Sequence, residues 1–244
     1  MIFRRYRKSL KKIWRRVENR ILGGKRILVL GDSHCGVFEY CFDHGFLAPH
    51  LLNCEIVAGA TAYGLNGEHS ATQAWQKFDS ALLRFNNADT IVLVLGECDC
   101  SFALWARAAR LQAVPATLIG DSLAGLRRLL GRIKDDPRLL GKRVIVVGAI
   151  LPTVADDSLA IQENILRRSI GASQLERTRL VLEYNDRLSQ MATELGLTYF
   201  DLTEQTRNSE TGMVDARFVA RPDDHHLSHS ASGPLWSKRL LELL

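Results

Sequence analysis

Four stretches of this chain are unbroken apolar runs rich in β-branched residues, and each ends at or beside a glycine: "RILVLG", "CEIVAG", "TIVLVLGE" and "KRVIVVG". Such runs do not alternate between polar and apolar, so both faces of the strand must be covered. That is the signature of a parallel sheet between two layers of helices. The strands are expected over Arg26–Leu30, Cys54–Ala58, Thr90–Leu95 and Lys142–Gly148, with a fifth in "LTYFDL" over Leu197–Leu202. Helices are expected from about Ser33, over Ser70–Phe85, Ser122–Lys134 and Gln174–Leu195, and from about Ala231 to the end. Strand alternating with helix implies right-handed crossovers and a three-layer α/β/α fold with a mainly parallel, about five-stranded sheet, as in flavodoxin-like proteins.

The chain has 244 residues, 46% apolar, and a net charge of +5. The charge is not evenly spread. Residues 1–20 hold nine Lys/Arg and one Glu, a net of +8, which leaves the remaining 224 residues at −3. The body is mildly acidic, and nucleic acid is not an expected partner. The basic segment carries Ile2, Phe3, Tyr6, Leu10, Ile13, Trp14, Val17 and Ile21 at helical spacing, ending at Gly23-Gly24. Residues 1–24 therefore read as a basic amphipathic helix with a hinge, and 25–244 as one domain. The helix has three available uses: packing its stripe on the domain, lying on anionic lipid through residues 1–21, or touching nucleic acid. The first is the ordinary use of such a stripe.

No run of about 18 apolar residues occurs, nor does the N-terminus have the apolar block of a secretory signal. Five cysteines, an odd number, do not read as a disulfide framework. A cytoplasmic protein is expected, with peripheral contact at the inner membrane surface as the further use of the basic arm. Cys98-Asp99-Cys100 has no companion CxxC or His/Cys cluster, so neither metal nor cofactor is expected.

In a parallel sheet, ligands bind beyond the carboxyl ends of the strands. There the sequence places "GDSH", "AGATAYG" and "GECDC". Ser33, directly after a buried strand and opening a helix, presents its hydroxyl at the sheet edge beside a helix N-terminus. Alone it, or Asp32, reads equally well as an N-cap. At the far end, "RPDDHHLSHSASG" sets Asp223 three residues before His226, near enough for a carboxylate to orient an imidazole base. The neighbouring pair Asp224/His225 leaves open which imidazole turns inward.

Four blocks in order, "VLGDSH", "VAGATAYG", "VLGECD" and "DDHHLS", resemble those of the SGNH (GDSL-like) hydrolases from about Lys25 onward. The resemblance implies that Ser33 is the nucleophile, His226 the base and Asp223 its orienting carboxylate. It also implies an oxyanion hole from the backbone N–H groups of Ser33 and Gly59 plus an Asn side chain. Where that Asn would stand, this chain has Cys98, a weak donor, and loss of one oxyanion donor costs about 2.7–4 kcal/mol of barrier. GDSH together with GExDC marks a divergent branch of the family. The function implied is a serine esterase or O-acyl hydrolase acting on a small-molecule or carbohydrate ester, such as an acetyl ester on a polar scaffold.

Glu97 and Asp99 read either as groups that position a polar substrate or pair with Arg107, or, for Asp99, as a helix cap. His34 reads as a packing residue of the first turn or as a substrate contact. Trp75, Trp105 and Tyr63 read as core aromatics, with stacking on a sugar as the alternative. Three other functions compete: acyl transfer by the same triad, a non-catalytic carbohydrate- or partner-binding module, and a metal-dependent phosphoesterase with Asp32 and His34 as ligands. The last lacks the further ligand blocks such a site needs.

Overall fold

A computed structural model of the chain describes residues 17–156 and 171–244. Its sheet has five strands, β1 (Arg26–Gly31), β2 (Leu51–Ile56), β3 (Thr90–Val94), β4 (Arg143–Val147) and β5 (Thr198–Phe200). They are ordered β2-β1-β3-β4-β5, and every pairing is parallel. The central β1 and β3 are buried almost throughout, as continuous apolar runs require. The edge strand β2 is half-buried along its whole length and begins three residues before the expected Cys54. Its Leu-Leu-Asn opening lacks the β-branched signature that marks the central strands.

The helices are α1 (Gly36–Asp43), α2 (Ala74–Arg84), α3 (Leu104–Leu111), α4 (Ile119–Lys134), α5 (Gln174–Glu194), the single turn α6 (Thr203–Thr206) and α7 (His229–Glu242). α5 starts with a capping box, in which Ser173 and Glu176 satisfy each other's backbone N–H groups. α1 starts later than expected because Ser33–Cys35 forms a separate 3-10 turn. α3 is the helix that the cap reading of Asp99 implies, but Asp99 lies inside the π-helical turn Asp99–Ala103 that precedes it and does not cap it. α7 lies on α1, where Phe38 and Trp236 meet edge to face with ring centroids 5.5 Å apart and the Cys41 thiol donates to the Gly233 carbonyl.

Most of the basic N-terminal segment lies outside the described residues. Residues 17–22 are helical, with Val17 and Ile21 at the surface and Asn19 buried, donating to the Pro49 carbonyl. No helix among the described residues is long and apolar enough to cross a membrane.

The chain leaves β1 to one side for β2 and returns to its other side for β3, so the strand order reverses between β1 and β3. A crevice opens at such a switch point. Two glycines make the approach there possible. A Cβ on Gly31 would stand 2.1 Å from the Val94 carbonyl oxygen, and Gly96, at φ +129°, would drive one to 2.4 Å from the Tyr184 ring.

Candidate active site

The turn after β1 is built by Asp32. Its extended backbone and side chain cap the 3-10 turn, with Oδ1 accepting the His34 N–H at 2.9 Å. The cap reading therefore falls to Asp32 and leaves Ser33 half-buried with its hydroxyl free for other contacts. From the other end of the chain, the loop before α7 brings in His226. Its Nε2 lies 2.9 Å from Ser33 Oγ, across 193 residues of sequence.

The carboxylate behind His226 is Asp224, which corrects the expectation of Asp223. Asp224 Oδ1 lies 2.7 Å from His226 Nδ1 and accepts the His226 backbone N–H at 3.0 Å. Asp223 is 61% exposed at its side chain, with Arg221 Nε at 3.7 Å from its Oδ1. The physical reason is local: an aspartate bonding to the N–H two residues on closes an Asx turn, and this turn aligns Oδ1 with Nδ1 of the same histidine. Burial acts to raise the Asp224 pKa, but the His226 donors and Arg221 outweigh it and hold the carboxyl below the usual range. The loop is tied to the segment after β4 by Thr153 Oγ1, which donates to the Asp224 carbonyl at 2.7 Å. His225 stays beside the site, its ring 4.0 Å from that of His226.

The block after β3 supplies buried acids. Asp99 is fully buried, accepting the Ala62 N–H at 2.7 Å, the Tyr63 N–H at 3.0 Å and Ser122 Oγ at 2.6 Å. It neither pairs with Arg107 nor offers itself to a substrate; it ties the turn after β2 to the end of β3 and to α4. Burial outweighs these three donors and raises its pKa. Arg107 instead bonds Asp121 at 2.7 Å and covers the Tyr63 ring. Glu97 is buried, accepting from Ser101 Oγ at 2.5 Å, and its Oε2 stands 3.6 Å from His34 Nε2.

Cys98, which the resemblance would set where an oxyanion Asn is expected, is buried; burial, with Glu97 and Asp32 beside it, pushes its thiol up, so it stays S–H. Gly59 takes φ +71° in the exposed turn Ala58-Gly59, which the Ala60 N–H closes on the Val57 carbonyl. Trp75 and Trp105 pack against the core at its margin, Trp75 under the Arg128 guanidinium and Trp105 donating to the Cys100 carbonyl.

Two groups among the described residues bring ligand-type atoms within 4.8 Å of one another, His34/His225/His226 and Asp32/His34/Cys98. Asp32 and His34 are bonded to each other through Oδ1 and Nδ1 at 2.9 Å rather than turned toward a common point. All five cysteines are free thiols.

No family model matches the chain, and no curated protein does. Solved structures do. A GDSL-like lipase from Bacteroides thetaiotaomicron superposes with a TM-score of 0.58 at 13% identity, covering 90% of this chain and 89% of that one. An aryl esterase from M. smegmatis gives 0.59 at 16% identity, over 91% and 100%. An extracellular lipase from Streptomyces rimosus gives 0.54 at 14%, over 91% and 100%. The identities are low and the superposition spans nearly the whole of each chain, so what is shared is the architecture: this chain has the SGNH (GDSL-like) hydrolase fold.

Proposed function

We propose that the protein is a serine-dependent ester hydrolase whose triad is Ser33, His226 and Asp224. The observation that carries this reading is the unbroken line from Asp224 Oδ1 through His226 to Ser33 Oγ, 2.7 and 2.9 Å, at the carboxyl edge of the sheet. Ser33 Oγ attacks the ester carbonyl while His226 Nε2 takes its proton. His226 then gives that proton to the leaving alcohol, and Asp224 holds Nδ1–H and stabilises the imidazolium between these steps. Water attacks the acyl-enzyme by the same route in reverse. An acceptor alcohol would do so equally, which makes acyl transfer the second outcome of the same chemistry.

The oxyanion falls to the backbone N–H groups of Ser33 and Gly59, with the weak thiol donor Cys98 in place of an amide. The substrate class we favour is a short acyl ester on a small polar or carbohydrate scaffold. The five free thiols suit a reducing compartment, and residues 1–21 suit peripheral contact with anionic lipid.

The test is covalent labelling by a fluorophosphonate, read by intact mass, with p-nitrophenyl acetate turnover in the presence and absence of a chelator. One label per chain, lost in Ser33→Ala and His226→Ala, with turnover indifferent to chelator, supports the triad. No label and no turnover would leave a binding module, and turnover abolished by chelator would favour the metal-dependent alternative.

A further inference from the structure

The pattern Asp-x-His occurs at both ends of the site, Asp32-Ser33-His34 and Asp224-His225-His226, and both copies fold the same way. In each, one carboxylate oxygen accepts the backbone N–H of the histidine two residues on and meets that histidine's Nδ1. The distances are 2.9 and 2.9 Å in the first copy and 3.0 and 2.7 Å in the second. The copies face each other, ring centroids 4.8 Å apart. Each histidine sends Nε2 to the middle residue of the opposite turn: His226 to Ser33 Oγ at 2.9 Å, His34 to the His225 carbonyl oxygen at 3.2 Å. One half of this reciprocal clasp is the proposed triad. The other has no step in ester chemistry.

Its protonation follows from its neighbours. Nδ1 of His34 faces Asp32 Oδ1; Nε2 faces the His225 carbonyl and, at 3.6 Å, Glu97 Oε2. Carbonyl and carboxylate oxygens only accept, so both ring nitrogens face acceptors, the arrangement that suits an imidazolium. It is 6% exposed, between Asp32 at 1% and Glu97 at 3%. Val94, Ile150, Leu227 and Trp236 line one small pocket together with the two rings and His229. Ser101 donates to Glu97 Oε1 and the His34 N–H to Asp32 Oδ1, and the buried cation is the opposite charge beside both carboxylates.

We propose that Asp32, His34 and Glu97 form a buried charged couple that grips the His225 carbonyl and so positions the His226 ring against Ser33. His34 is then a positioning residue, not a substrate contact. The inference rests on the esterase reading of Ser33 and His226, and adds to it the role of the histidine in GDSH and of the glutamate in GECDC.

Burial disfavours the charge on His34, yet Asp32 and Glu97 outweigh it and raise its pKa to about 9. The groups facing it are Asp32 from its own turn, Glu97 and Cys98 from the end of β3, His225 and His226 from the C-terminal loop, and His229 from α7. Burial keeps the Cys98 thiol protonated and lowers the His229 pKa, so neither mimics a His34 proton lost near 9.

The experiment compares the full chain with His34→Gln, which keeps a donor for the His225 carbonyl, and His34→Leu, which does not. Side-chain 15N spectra of the wild type should show one histidine doubly protonated at about pH 8, absent from His34→Gln, whose His226 resonances shift. Turnover of p-nitrophenyl acetate should fall about 10²-fold in kcat for His34→Leu, with KM within about threefold and partial recovery in His34→Gln. A neutral His34 at that pH, wild-type kcat in His34→Leu, or a loss confined to KM would overturn the proposal. Should the wild type take no fluorophosphonate label, it is the esterase reading that fails. The couple is then decided by the spectra alone: an imidazolium at position 34 and a shifted His226 support it, and their absence overturns it.

Discussion

Asp223 and Asp224 are adjacent in sequence, yet only Asp224 meets the imidazole; its side chain is 22% exposed against 61% for Asp223. Removing the charge of the carboxylate behind a catalytic histidine costs up to about 10⁴-fold in kcat, because the ring loses its tautomer and its stabilised cation. Asp224→Asn is therefore expected to lower p-nitrophenyl acetate turnover by about 10²- to 10⁴-fold, and Asp223→Asn to stay within about twofold, in parallel kinetic runs. Equal losses would return the role to the D-x-x-H spacing. That spacing and the D-x-H spacing are both present in "DDHH", so the string holds two answers at once. That Ser33 and His226 would meet was legible because each is marked by a feature outside itself, a buried strand before one and a Pro-bounded loop around the other. Asp224 was not, because its selection depends on an Asx turn, a backbone conformation that either aspartate is able to start.

At the scale of elements, the turns after β1, β2 and β3 are tied to one another by buried carboxylates as well as by apolar contact. Asp99 is the clearest: two backbone N–H groups and the Ser122 hydroxyl converge on it. Asp99→Ala would leave all three donors unpaired, those of Ala62 and Ser122 buried and that of Tyr63 partly buried, at about 1–3 kcal/mol for each buried donor before relaxation. A stability loss of about 2–4 kcal/mol is expected in denaturant titration, with loosening of residues 60–64 seen as faster amide exchange. Asp99→Asn retains the Oδ1 acceptor for one or two of these donors and should lose about half as much. A loss below about 0.5 kcal/mol for the alanine variant would mean that the turn is held by something else. The strands were legible because burial on both faces leaves an unbroken apolar run, and α5 was expected over Gln174–Leu195, close to its observed bounds. β2 and α3 were less so: the first is an edge strand with mixed burial, and the second begins in a π turn that has no hydrophobic period of its own.

Over the whole molecule, charge is arranged so that the site should be sensitive to alkaline pH. The His34 pKa is raised from its ordinary 6.5 to about 9. A raised pKa means the folded state binds the proton more tightly than the unfolded chain, so the stabilisation is fully present below about pH 6.5 and is lost as pH rises through about 9. A shift of that size corresponds to about 3 kcal/mol, enough to lower Tm by several degrees. Wild type should lose Tm between about pH 7 and 9.5 while His34→Gln, already less stable at neutral pH, stays flat over the same window. Parallel curves would show that another group controls the alkaline side. The Asp224 pKa moves the opposite way, so its contribution is present at neutral pH and fades only as pH falls through the lowered carboxyl range. Between these limits the +8 of residues 1–20 against the −3 of the rest gives the molecule one strongly basic end. With Val17 and Ile21 at the surface, that segment should bind vesicles containing anionic lipid at low salt, at about 1 kcal/mol per basic residue near the surface. The binding should vanish from neutral vesicles, from chains truncated before residue 23, and at about 0.5 M salt. Binding to neutral vesicles alone, or persistence after truncation, would move the contact to another face of the domain.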